Sequence, residues 1–241
     1  MTRYMFNMVS GLVTMYIVFL MLFFGVKAVG GSALNLGDTL EGLFTGYVVW
    51  MIVIIGYQDL AYGVTNEAQT GTLEQLYLSP VGYRWLAFFT QLFNSLIYLT
   101  EITVMVVIMM LTTGKWLHLD LVSVFPLFVA VYAQALGLGF ALAGLALVYK
   151  RIQAFFQIVT FGVIGFFFIP WDRFPWAKYL PFAMGRYLLE KVMAGGLRLW
   201  QLNGSDILVL LISTGMYLGL GILAFSAGES RAKAKGFLGQ Y

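Results

Sequence analysis

The sequence predicts an all-α polytopic membrane protein with six transmembrane helices. Two observations carry that reading. Apolar residues make up 61% of the 241 residues and charged residues only 10%, against about 45–50% and ~25% in an ordinary soluble domain. A soluble surface would need charges that this chain does not have. Long uncharged runs also recur along the chain, and a bilayer core of ~30 Å takes ~20 helical residues to cross. A transmembrane barrel is disfavoured, because its strands alternate lipid-facing and lumen-facing residues over segments of ~10. Residues 121–149 run on without a charge. A helix pairs its own backbone groups, as lipid requires.

In order, the predicted spans are 7–28, 43–62, 85–111, 121–149, 152–169 and 207–225. The first follows Arg3 and lacks a small-residue cleavage site, so it reads as a retained span rather than a signal peptide. The second extends to Tyr62 through Asp59. The third is apolar apart from Glu101 and a few neutral polar residues. The fourth repeats small residues every four positions, at Ala135, Gly139 and Ala143 and at Gly137 and Ala141; the sixth has Gly215 and Gly219. Such spacing permits close helix approach, within one chain or between chains.

Six spans put both termini on one side. The 14 Lys and Arg then divide equally between the two faces, so the whole count does not orient the chain. Lys150-Arg151 in the tight fourth-to-fifth connection, with Arg231, Lys233 and Lys235 in the tail, form compact clusters that favour cytoplasmic termini. Two connections exceed simple turns: 63–84, then cytoplasmic, and 171–205, then external. Neither is long enough for a second domain, so 1–241 reads as a single domain.

Several function classes are disfavoured. There is no cysteine and one histidine, His118, which rules out a disulfide scaffold and a Cys/His metal site. A net charge of +3 is too small and dispersed for a nucleic-acid surface. Gly114-Lys115 is followed by Trp116 where a phosphate-binding loop needs Ser or Thr, and no HExxH surrounds His118. The expectation is a chain that is not an enzyme and binds no cofactor of its own.

Within 63–84, residues 72–78 predict a short amphipathic helix, since Leu73, Leu76 and Tyr77 recur at spacings of three and four. Thr70 or Thr72 is placed to cap it, with Glu74 or Gln75 in its first turn. Gly71 permits a sharp entry, and Pro80 limits continuation. Such a helix either lies in the membrane interface or docks on a cytoplasmic partner and transmits force as a unit.

Glu67, then Gly71-Thr72-Leu73-Glu74-Gln75-Leu76, then Ser79-Pro80-Val81 closely resemble the loop of ABC-2 type ABC-transporter permeases. Residues 7–25, Lys150-Arg151-Ile152-Gln153 and Ile169-Pro170 fit the same family pattern, so the resemblance covers nearly the whole chain. It implies a coupling helix between spans two and three that enters a cleft of an ATP-binding subunit. Glu67, Gly71, Thr72, Leu73, Glu74, Gln75 and Leu76 would form the contact, the leucines as apolar anchors. It implies two ATP-binding subunits, which carry ATP and Mg, and a second permease copy, most simply a homodimer in lipid. It also implies a prokaryotic cytoplasmic membrane and an exporter of the drug-exporter-like branch, with an amphipathic substrate. One departure is that about five residues precede the first apolar run, where the family has a longer amphipathic segment.

The outer segment opens with Phe168, Pro170, Trp171, Phe174 and Trp176. Trp favours the headgroup zone, and proline breaks regular helix. An aromatic anchor accounts for these residues; the resemblance implies short re-entrant helices that close the outer end of a pathway. Tyr187, Leu188, Leu189, Val192 and Met193 suggest a further amphipathic helix.

Glu101 is the remaining chemical feature. A carboxylate near the centre of a span must face protein or water, pair, or take up a proton. Asn94, Tyr98 and Glu101 share one helix face, which lines either a dimer interface or a translocation path. Gln58 and Asp59 read as interfacial or coupling-region residues. Two other function classes stay open: a secondary transporter using Glu101 as its coupling carboxylate, and a non-transport membrane scaffold.

Overall fold

The computed structural model describes residues 2–29, 36–78, 80, 82–149, 152–167, 176 and 179–234. They form helices α1 (Thr2–Val29), α2 (Leu36–Thr70), α3 (Leu73–Tyr77), α4 (Tyr83–Thr113), α5 (Leu121–Val148), α6 (Gln153–Phe167), α7 (Ala183–Met193) and α8 (Gly204–Ala234), with a 3-10 turn at Leu199–Gln201 before α8.

Five stretches are long and apolar enough to cross a membrane: Val9–Ala28, Gly42–Thr70, Trp85–Thr113, Leu121–Val148 and Gly204–Ala234. The chain is a multi-pass, all-helical membrane protein over its described residues. Among the described residues, the expectation of six spans is corrected to five. Of the run expected to cross at 152–169, the described part is α6, which has 15 residues. At ~1.5 Å per residue that part rises about 22 Å, short of a ~30 Å hydrocarbon core. Phe168 and Ile169 lie outside the described residues.

Helix α5 is the hub. One face meets α2 and another meets α8, and small residues set both approaches. A Cβ on Gly56 of α2 would lie 2.8 Å from the Ala135 Cβ, and one on Gly139 would lie 3.1 Å from the Tyr57 Cα. On the other face, Gly137 and Gly144 of α5 meet Gly221 and Gly228 of α8 backbone to backbone. Gly215 and Gly219, which the spacing singled out, have nothing within 4 Å of a built Cβ. The small residues that α8 uses, Gly221 and Gly228, lie two and nine residues beyond Gly219.

These contacts fix helix directions. Residue numbers rise together along α2 and α5 and along α5 and α8, so all three run parallel. Helix α4 runs against α2, since Gln91 and Asn94 meet Asp59 while Ile102 and Val106 line one cavity with Val48 and Ile52. Helix α1 also runs against α2, with Tyr47 donating to the Met15 carbonyl at 2.5 Å and Phe19 packed edge-on against Phe44. Tyr62 meets Phe156 and Tyr57 meets Thr160, so α6 rises against α2.

Two helices in series return the chain to the start of α8. The backbone N–H of Phe182, just before α7, donates to Gln134 halfway along α5. At the other end of α7, the Met193 carbonyl accepts from His118, just before α5 begins. Helix α7 therefore climbs from mid-bundle to the end where α5 and α8 start. It is buried through Met184, Gly185, Leu188, Leu189, Val192 and Met193. Thr2 of α1 and Ala234 of α8 consequently lie toward the same end of the bundle as α3.

Candidate functional site

Two polar constructions stand out, both toward the end of the bundle that carries α3. The first is the turn from α2 into α4. Gly71 (φ 75°) closes α2 and Gly82 (φ 78°) precedes α4; a side chain at either would be strained in this left-handed region. Between them sits the five-residue α3.

Thr72 occupies the cap position of α3, its carbonyl accepting from Leu76 N–H at 3.1 Å. Its side chain does something other than cap. The Thr72 hydroxyl donates to the Glu67 carboxylate, and its N–H donates to the Glu67 carbonyl at 3.1 Å. The Thr70 hydroxyl adds a 2.9 Å bond to that of Thr72. The turn is thus tied back onto the last turn of α2, which makes α3 a rigid extension of that helix.

Leu73 is fully buried, so it anchors α3 to its own chain rather than standing on its surface. Leu76 and Tyr77 are half-buried. Tyr77 stacks on Tyr83 with centroids 5.2 Å apart, and Tyr83 stacks on Phe225 of α8 at 6.1 Å. Lys233 of α8 lies 4.9 Å over the Tyr77 ring and pairs with Glu229 at 2.7 Å. Burial, and then the nearby Glu67 charge, hold the Tyr83 hydroxyl above the usual phenol range. The exposed side of the turn is Gln75 and Leu78, the latter 80% exposed. The Glu74 side chain lies outside the described residues.

The second construction is centred on Asp59. Its Oδ2 accepts from Gln91 Nε2 at 2.8 Å and from Asn94 Nδ2 at 2.9 Å. Gln91 is buried, and its Oε1 accepts from Tyr132 of α5 at 3.2 Å. One carboxylate thereby fastens α2, α4 and α5. Beside it opens a cavity of about 600 Å³, walled by Gln58, Asp59, Tyr62, Asn66, Tyr98 and Gln153 with Met15, Ile54 and Ile55. A smaller cavity of about 250 Å³ lies between Asp59 and the turn and includes Glu67 and Tyr83.

Of the expected Asn94–Tyr98–Glu101 face, Asn94 and Tyr98 converge on Asp59. Glu101 stands one turn beyond, half-buried, with no hydrogen bond or ion pair among the described residues. Of the outer aromatics, Trp176 is exposed; Phe168, Pro170, Trp171 and Phe174 lie outside the described residues. Gln91 and Tyr132 are not among the residues that the sequence singles out, and Asp59, expected at the interface or in the coupling region, instead ties α2 to α4. The available signal was the i, i+3, i+7 spacing of Gln91, Asn94 and Tyr98, which puts two amides and a phenol on one face of α4.

No family model, curated protein or solved structure matches the chain.

Proposed function

We propose that this chain is the membrane permease subunit of an ATP-driven exporter of the ABC-2 type. It works as a homodimer with two ATP-binding subunits and forms the pathway for an amphipathic substrate. The observation that carries the reading is the α2–α3–α4 turn. A partner that moves Gln75 and Leu78 moves α2 and α4 with them, because Glu67 and Thr72 bind the turn to α2 and Leu73 anchors it in the bundle. A flexible loop would absorb that displacement. The sequence from Gly71 to Leu76, with Glu67 before it, is what suggests an ATP-binding subunit as the mover. ATP and Mg belong to that partner. In this reading the turn and both termini face the cytoplasm of a prokaryotic cell.

The test is the composition of the native complex, extracted in mild detergent and weighed intact. Two copies of this chain with two ATPase-sized subunits are expected. Because the chain has no cysteine, Leu78→Cys supplies a single reporter that should cross-link to the ATPase and react only with reagents that reach the cytoplasm. Reproducible isolation without an ATPase, or labelling of this position from outside, overturns the reading.

A further inference from the structure

We propose that Asp59 and the cavity beside it bind the positively charged group of an amphipathic organic cation. The site stands on its own geometry; taking such cations as the exported substrate rests on the exporter reading above.

Among the described residues that line the larger cavity, Asp59 is the charged one, and no Lys, Arg or His joins it. The two donors it accepts, from Gln91 and Asn94, are neutral amides, and both fall on Oδ2. Such bonds supply no counter-charge. The described wall therefore carries an acidic residue without an opposite charge inside Gly42–Thr70, a stretch apolar enough to cross a membrane. Ionisable groups in such stretches are costly and mark ligand or ion paths by default.

Charge decides the ligand class. An anion meets repulsion from Asp59, and a neutral molecule leaves the carboxylate uncompensated. A cation offsets it. The rest of the wall suits an organic cation rather than a bare metal ion. Tyr62 and Tyr98 present rings that attract cations, and Met15, Ile54 and Ile55 offer apolar surface for a hydrocarbon body. The volume of about 600 Å³ falls in the ~300–1,000 Å³ range of small-molecule sites. A purely structural Asp59, tying α2 to α4, would give the cavity no preference for charge sign.

Tetraphenylphosphonium and tetraphenylborate have nearly the same shape and opposite charge. Their binding is measured on the purified chain, or its native complex, in nanodiscs of phosphatidylcholine, with empty-disc partitioning subtracted and no nucleotide present. The wild type is expected to bind the phosphonium saturably and at least tenfold tighter than the borate. Asp59→Asn, which keeps an acceptor for both amides, is expected to weaken the phosphonium at least tenfold and not the borate. Asn66 lies exposed at the cavity wall, so Asn66→Lys adds a repelling charge without disturbing the Asp59 bonds. It is expected to weaken the phosphonium several-fold, and it decides the matter should Asp59→Asn fail to fold. Non-saturable binding by the wild type, equal binding of the two ions, or indifference of a folded variant overturns the site. Asp59-dependent binding by a chain that purifies without an ATPase keeps the site and removes the exporter; an ATPase complex without such binding does the reverse.

Discussion

The backbone N–H of Phe182 donates to the Gln134 side-chain oxygen at 2.9 Å. Gln134 is buried at the middle of α5, and its amide nitrogen donates to Thr214 of α8 at 3.0 Å. One side chain thus joins α5, α8 and the mouth of α7. It holds Phe182 in a left-handed conformation (φ 65°) that non-glycine residues seldom adopt. The junction fixes the start of α7 at mid-depth, against the middle of α5.

Gln134→Leu keeps the volume and removes every one of these bonds. The Phe182 N–H is then buried without a partner, which costs about 1–3 kcal/mol. The expected result is a lower unfolding midpoint, with amide exchange rising first in α7 and leaving the α2–α4 hairpin protected. Uniform loss of protection across the bundle would count against α7 as the element that this glutamine docks.

The α5–α8 contact makes a sharper prediction. A Cβ built on Gly221 would lie 1.9 Å from the Gly137 carbonyl oxygen, and one on Gly228 would lie 2.2 Å from that of Gly144. Those neighbours are backbone and cannot rotate away. Gly221→Leu should therefore destabilise by more than the ~1–3 kcal/mol of ordinary overpacking and yield little monodisperse protein after extraction. Gly219→Leu, two residues away with open space around it, should purify like the wild type. Equal yields of the two variants would sink this account of the packing.

Much of this architecture was legible because lipid imposes simple demands. The uncharged runs located α1, α2, α4, α5 and α8, and the three-and-four spacing of Leu73, Leu76 and Tyr77 located α3. The rest depended on facts that pattern does not carry. Gly219 and Gly221 are chemically alike, and only the crossing of α5 decides which one is occluded. The run around α6 is as apolar as a span, yet its described helix, Gln153–Phe167, is too short to be one. Helix α7 reads as amphipathic, which suggests a surface, but its polar residues line up beside α2: a Cβ on Gly42 would meet Glu190 at 3.3 Å, and one on Gly46 would meet Arg186 at 3.5 Å. Asp59 looked peripheral because its partners sit 32 and 35 residues later, a separation no local window spans.

The turn between α2 and α4 separates stability from coupling. Leu73→Asp removes a fully buried leucine, worth about 2–5 kcal/mol by analogy with Leu→Ala, and buries a carboxylate besides. Its expected phenotype is poor folding, so loss of transport in that variant says nothing about docking. Leu78→Ser changes an exposed side chain and should leave the unfolding midpoint within about 0.5 kcal/mol equivalent of the wild type. Under the exporter reading it lowers partner affinity and ATP-driven transport together. Normal transport by folded Leu78→Ser and Gln75→Ala variants would remove this side of α3 from the contact.

Glu101 distinguishes ATP-driven transport from ion-coupled transport. It follows Asn94 and Tyr98 on one face of α4 but stands beyond their contact with Asp59, without a hydrogen-bonding partner among the described residues. A carboxylate at the centre of a span carries an insertion penalty of about 2.5–3.5 kcal/mol on the scale measured for Asp. Glu101→Gln replaces the charge by a neutral amide and breaks no bond among the described residues, so the variant is expected to be at least as stable as the wild type. With an ATPase driving the cycle, transport into inverted vesicles should stay within about twofold and survive collapse of the proton gradient. If Glu101 carries a coupling ion instead, the same substitution abolishes transport, and the wild type stops when the gradient is collapsed even with ATP present. That pair of results would transfer the driving force from a partner at Gln75 and Leu78 to a carboxylate in α4.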